Sequence, residues 1–178
     1  MTPEQESKSR DEIWNAAYQK WYDAYFNEIV AGRMIDRWQA FNDPAKVIIA
    51  VTTSGSVVAG WTLWNQPVYK TFWIMLAGVG ALLSVISGSL TIPERIKDWT
   101  STKADFSGVR MQAELLRTQM KLNPEFDVAQ AHKSLENIML RHNDAVNRIR
   151  NDFLHARSLD LACKKELDDL LLVRKLWS

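Results

Sequence analysis

Between Asp11 and Ala40, apolar and aromatic positions recur every three or four residues: Trp14, Tyr18, Trp21, Tyr25 and Ile29. That step predicts an amphipathic helix. Trp21-Tyr22, Tyr25-Phe26 and Trp38 widen its apolar face. Asp11 and Glu12 fall in the expected first turn, where a helix dipole favours carboxylates. Residues 1 to about 10 are polar and are expected to fray. The helix carries more acid than base, which favours packing on protein over attraction to anionic lipid. Asn42-Asp43-Pro44 reads as a break and a new start, with Asp43 as cap and Pro44 in the first turn.

The pattern then changes. Val47 to Tyr69 and Thr71 to Pro93 contain no charge, and only Lys70 lies between them. Each run is about 23 residues, and as a helix would reach about 35 Å at ~1.5 Å per residue. Asn65-Gln66-Pro67 supplies a turn, because proline lacks a backbone donor and restricts its predecessor. The expectation is a two-helix transmembrane hairpin, spans 47–66 and 71–92, inside a segment 47–93. Arg33, Arg37 and Lys46 precede it and Arg95, Lys97 and Lys103 follow it, which places both termini in the cytoplasm. Trp61, Trp64, Tyr69, Phe72 and Trp73 cluster at the turn as an interfacial belt would. The first span is polar for its setting. Thr52, Thr53, Ser56 and Gly60 give it a small, hydroxyl-bearing face suited to close packing or to lining a water-filled path. Ala77, Ala81, Ser84 and Gly88 make a small stripe on the second.

Beyond Pro93 helical periodicity returns. Thr91 to Glu94 mark a break or a kink. Phe106, Val109, Ala113, Leu116 and Met120 share one face, and Asn123-Pro124 ends that helix. Leu135, Ile138, His142, Val146, Ile149 and Phe153 alternate by three and four, as in a heptad seam. Cys163, Leu167, Leu170, Leu171 and Leu176 form a last apolar face. The predicted fold class is therefore all-α and homo-oligomeric. It comprises an N-terminal cytoplasmic amphipathic helix (1–46), the membrane hairpin (47–93) and a C-terminal cytoplasmic helical bundle (94–178).

Composition adds limits. The net charge of +1 averages a charge-free middle and two charge-dense flanks. Cys163 is alone, so an internal disulfide is excluded and a reducing compartment fits. No apolar leader core opens the chain, so no cleavage is expected there. His132, His142 and His155 do not share a helix face, so no metal site is expected. No phosphate-binding glycine loop or nucleophile-base signature is present, so neither enzyme chemistry nor a cofactor is expected. Neither span holds an ionisable side chain, which argues against a proton-coupled carrier.

Basic residues supply the one candidate for ligand chemistry. Arg110, Arg117 and Lys121 share a face at steps of seven and four, and Arg141 and Arg148 share another. Guanidinium groups clamp phosphate with paired hydrogen bonds, so these five are the candidate anion site. Glu114, Glu136, Asp144 and Asp152 lie near enough in sequence to pair with them instead.

An aromatic amphipathic helix, a tight hairpin of spans around Asn65-Gln66-Pro67 and helices after the second span give a layout that resembles the SLATT-type two-transmembrane effectors of bacterial antiviral systems. The resemblance covers the architecture of nearly the whole chain. It implies an oligomeric pore in the bacterial inner membrane, multi-pass and in contact with lipid. A nucleotide or oligonucleotide from a partner nucleotidyltransferase would gate it, and opening would depolarise the infected cell. Several copies, four in the expected arrangement, would surround a pore lined by Thr52, Thr53, Ser56 and Gly60, and ligand would shift the population of two cytoplasmic arrangements. The alternative is a membrane-anchored helical scaffold, or an accessory subunit of a larger membrane complex.

Overall fold

The computed structural model describes residues 3–63, 71, 74–75, 78–82, 85, 91–123, 126–149 and 152–176. Four helices are delimited: α1 (Pro3–Leu63), α2 (Ile92–Leu122), α3 (Val128–Arg148) and α4 (Arg157–Leu176). The chain divides into two compact units, one of residues 1–34 with 99–178, the other of residues 35–98.

In the first unit the aromatic periodicity finds a protein partner. Ile13, Ala17, Trp21 and Ala24 of α1 pack with Phe106, Val109, Ala113, Leu116 and Met120 of α2 and with Ala131, Leu135, Ile138 and Ala145 of α3. The helices run alternately up and down. Arg110 of α2 meets Glu28, Arg117 meets Trp14, and Arg148 of α3 meets Asp105. α4 follows α3 by a short connection and runs antiparallel to α1. Glu166 meets Arg33 at 2.8 Å, and the Tyr22 hydroxyl donates to Asp168 at 3.2 Å. Burial and the Asp168 carboxylate raise the Tyr22 phenol above its ordinary value. α4 buries Leu159, Cys163 and Leu167, while Leu171 packs on the core. The result is an up-down four-helix bundle.

Both ends of the α2–α3 connection are tied. Asp127 caps α3 by accepting from the Ala129 backbone N–H at 3.0 Å. The Arg10 guanidinium donates to the carbonyls of Phe126, Asn123 and Met120 at 2.9, 3.2 and 3.3 Å. A cation at a helix C-terminus also meets the negative end of the dipole. This anchoring explains why helix α1 begins at Pro3, where fraying to about residue 10 was expected. At the opposite end of the bundle, Trp99 Nε1 donates to Asp152 at 2.9 Å.

The seam on α3 is rotated from its expected position. Leu135, Ile138 and His142 are buried, but Ala131 and Ala145 complete the stripe, and Val146 and Phe153 are exposed. The small alanines let α3 approach its neighbours closely. A count of large apolar residues alone favours Val146 over Ala145.

In the second unit, α1 continues through Asn42-Asp43-Pro44 to Leu63, where a break was expected. A proline removes one helical hydrogen bond and crowds the preceding turn, a cost that packing of the flanking helix can offset. Trp38 and Asn42 are buried there, and Trp38 meets the edge of Phe41 at 6.4 Å between ring centroids. Thr91 adopts a left-handed backbone (φ 44°), and its carbonyl accepts from Glu94 N and Arg95 N. That turn opens α2 at Ile92, so Pro93 sits in the first turn, where its missing donor costs nothing.

The membrane expectation is corrected. Among the described residues no helix is long and apolar enough to cross a membrane. A span needs about 20 predominantly apolar residues. In α1 the consecutive Thr52-Thr53-Ser54-Gly55-Ser56 interrupts the apolar run, and Lys46 bounds it. Of the run from Thr71 to Pro93, residues 71, 74–75, 78–82 and 85 are described before Thr91, all with helical backbone, and the others lie outside the described residues. Absence of charge over a stretch is thus a weaker criterion than sustained apolarity. The transmembrane hairpin (47–66 and 71–92), the multi-pass placement in an inner membrane and the both-termini-inside orientation lose their support together. So does a channel lined by Thr52, Thr53, Ser56 and Gly60. Those four positions have helical backbone, and their side chains, with Asn65-Gln66-Pro67, lie outside what is described.

Candidate functional site

Helix α2 separates the basic residues into two grooves. Arg110, Arg117 and Lys121 face α1; Arg141 and Arg148 lie on the α3 side. The five candidates therefore do not converge. Rows on two different helices share a site only when the packing turns them toward each other, and here α2 stands between them.

On the α1 side the cations are built into the bundle. Arg110 pairs with Glu28 at 2.7 Å, approaches Glu114 at 3.8 Å and lies 5.0 Å over the Tyr25 ring. Arg117 lies between two rings, 4.6 Å from Trp14 and 4.8 Å from Tyr18. Guanidinium planes suit such stacking, each contact contributing about 0.5–1 kcal/mol near a surface. This stacking is a second role for the aromatic stripe of α1, which periodicity alone reports as core. A groove of about 550 Å³ remains beside it, lined by Arg10, Asp11, Trp14, Glu114, Arg117 and Lys121 among others. Its three cations face two carboxylates, so its net field is weak.

The α2–α3 side has a different character. Asp105 pairs with Arg148 at 2.9 Å, and Arg141 and Asp144 line the same groove. Next to them a groove of about 460 Å³ is walled by Gln112, Leu115, Gln119, Asn137, Leu140 and Arg141 among others. Met111, Leu115 and Leu122 are 62%, 57% and 77% exposed and follow at helical steps, and Leu140 of α3 is 57% exposed. Sequence reasoning missed this stripe because it searched α2 for its inward face. The spacing of Met111, Leu115 and Leu122 was the available signal.

His142 is a buried titratable group of the core. It is 7% exposed, its ring meets the edge of Phe106 at 5.9 Å, and neither ring nitrogen makes a hydrogen bond of good geometry. Burial first, and Lys20 second, hold its pKa below the usual value; Asp23 and Asn143 oppose them more weakly. Native His142 therefore resists the proton that the unfolded chain accepts. The stability this confers is complete above the unfolded value of about 6.5 and is lost as pH falls below it. Between pH 7.5 and 5 the wild-type melting temperature is expected to drop more than that of His142→Gln. Equal drops would show that this ring does not couple folding to pH.

Among the described residues no cluster of His, Cys, Asp or Glu is placed to hold a metal ion. Comparison with protein-family models, with curated proteins and with solved structures gives no match, so the reading of these grooves rests on their own geometry.

Proposed function

We propose that this chain works by self-association, as a helical assembly module without catalytic chemistry of its own. The observation that supports the reading is the outward stripe of Met111, Leu115 and Leu122 on α2, extended by Leu140 on α3. Contiguous exposed apolar side chains edged by polar ones mark interaction surfaces. A second copy suits this surface because it carries both signs of charge. Under a two-fold axis the same patch meets itself, so Arg141, Asp144 and the Asp105–Arg148 pair of one copy meet a surface that again carries both signs. The 21 residues of α3 are about 31 Å long, and two adjacent helices present a face roughly 20 Å wide. Such a face approaches the ~800 Å² per partner of a standard interface. Ile74, Met75, Val79, Leu82 and Val85 are further exposed apolar side chains available to assembly.

Sedimentation velocity on the wild type and on a Met111→Glu/Leu115→Glu variant tests this. The wild type should associate with a Kd of about 10 µM or tighter, and the variant should lose at least about tenfold. Both side chains are exposed, so the melting temperature should change little. A wild type that stays monomeric at about 100 µM, or a variant that associates equally well, would remove the proposal.

A phosphate-bearing ligand is the second reading, favoured by Lys121, which lines the groove beside Arg10 and Arg117 and makes no ion pair among the described residues. Calorimetric titration with a cyclic dinucleotide, with Lys121→Glu as control, separates it from the first. Binding lost in that variant supports a ligand role; no heat in the wild type removes it.

A further inference from the structure

Among the described residues, α4 fills the groove between α1 and α3 over only part of its length. Asp168 of α4 meets Tyr22 of α1, and α4 is described as far as Leu176. That leaves α4 about 12 Å of further reach, while α1 runs about 24 Å from Tyr22 back to Glu6. Toward that end of the bundle lies a groove of about 670 Å³ between the first turns of α1 and α3. Its floor is apolar: Ile13, Ala16, Val128 and Leu135. Ile13 and Leu135 belong to the core, so the groove opens onto the same packing that α4 covers farther along. Its width suits a helix, since a helix already occupies its continuation.

The rim fixes the chemistry of the occupant. Among the described residues that line the groove, Glu6, Glu12 and Asp127 are acidic, His132 is the one potential cation, and none is Lys or Arg. Asp127 is engaged by the Ala129 N–H. Glu6 and Glu12 are exposed and make no ion pair among the described residues. An acidic rim around an apolar floor complements an amphipathic helix with apolar anchors on one face and Lys or Arg beside them.

We propose that this open end of the α1–α3 groove is a docking site for a basic amphipathic helix of another protein, seated in line with α4. The partner's apolar side chains, spaced three and four apart, would cover Ile13, Ala16, Val128 and Leu135. Its cations would meet Glu6 and Glu12. The surface is distinct from the α2–α3 face argued above, so either proposal can fail without the other.

The test is selection from a display library of helical 16-residue peptides against the whole protein, followed by fluorescence anisotropy of the enriched peptides. Basic amphipathic sequences should be enriched, and they should bind at least tenfold more weakly to Glu6→Lys/Glu12→Lys, with affinity falling as salt rises. Ala16→Trp, which fills the floor and leaves the acids in place, should also weaken them at least tenfold. Circular dichroism and the melting temperature check that both variants remain folded. Enrichment of acidic or uncharged peptides, no enrichment at all, or equal binding to the charge-reversed protein would overturn the proposal. Dissociation of a self-associated wild type by the same two substitutions would also overturn it, by assigning the groove to a second copy.

Discussion

Phe106→Ala is expected to cost the bundle about 3–5 kcal/mol, seen as a lower urea midpoint with little change in slope. The ring is fully buried and stands where α1, α2 and α3 meet. Truncation removes its transfer free energy and leaves a cavity that three helices cannot close without shifting together. A second readout is specific to this site. Phe106 lies edge-on to His142 at 5.9 Å and helps keep water from it. Opening the cavity should bring the His142 pKa back up toward its ordinary value, measurable by NMR titration of the imidazole. A loss below about 1 kcal/mol would place the ring in a loosely filled region, not at the junction of the core.

The bundle was largely legible from the spacing of its apolar residues. Trp21 and its neighbours at three- and four-residue steps announced a helix with a protein-facing side, and that side is the core of the first unit. Asn123-Pro124 marked the end of α2, and Asp127 behaves as the cap of α3. What failed concerns solvent and neighbours. An uncharged run reports what is missing from a segment, whereas membrane insertion requires what must be present over about 20 residues. The Pro44 signal failed because proline raises the cost of a helix without forbidding it. Arg117 shows the limit for the site. Its row with Arg110 and Lys121 was visible, but the rings that hold it come from Trp14 and Tyr18, about a hundred positions earlier in the chain. The Arg10 contact with three carbonyls of the α2–α3 connection has the same non-local origin. No local pattern separates a ligand-ready cation from one spent on folding.

Leu167→Ala should cost about 2–5 kcal/mol and should act first on α4. Leu167 is fully buried at the centre of that helix, flanked by the buried Cys163 and Leu159. The polar contacts that help hold α4, Arg33 with Glu166 and Tyr22 with Asp168, are exposed, and such pairs contribute little. Apolar burial therefore carries most of its attachment. Hydrogen exchange should show residues 157–176 losing protection well before α1, α2 and α3 do, as a unit that opens locally. Undocking α4 also lengthens the open α1–α3 groove from its free end into the track α4 leaves. Peptides that dock beyond α4 should then bind at least as well to Leu167→Ala, while Glu6→Lys/Glu12→Lys still weakens them. Simultaneous loss of protection across all helices would instead mean that α4 is an integral part of one cooperative core. In that case the groove would not lengthen without global unfolding.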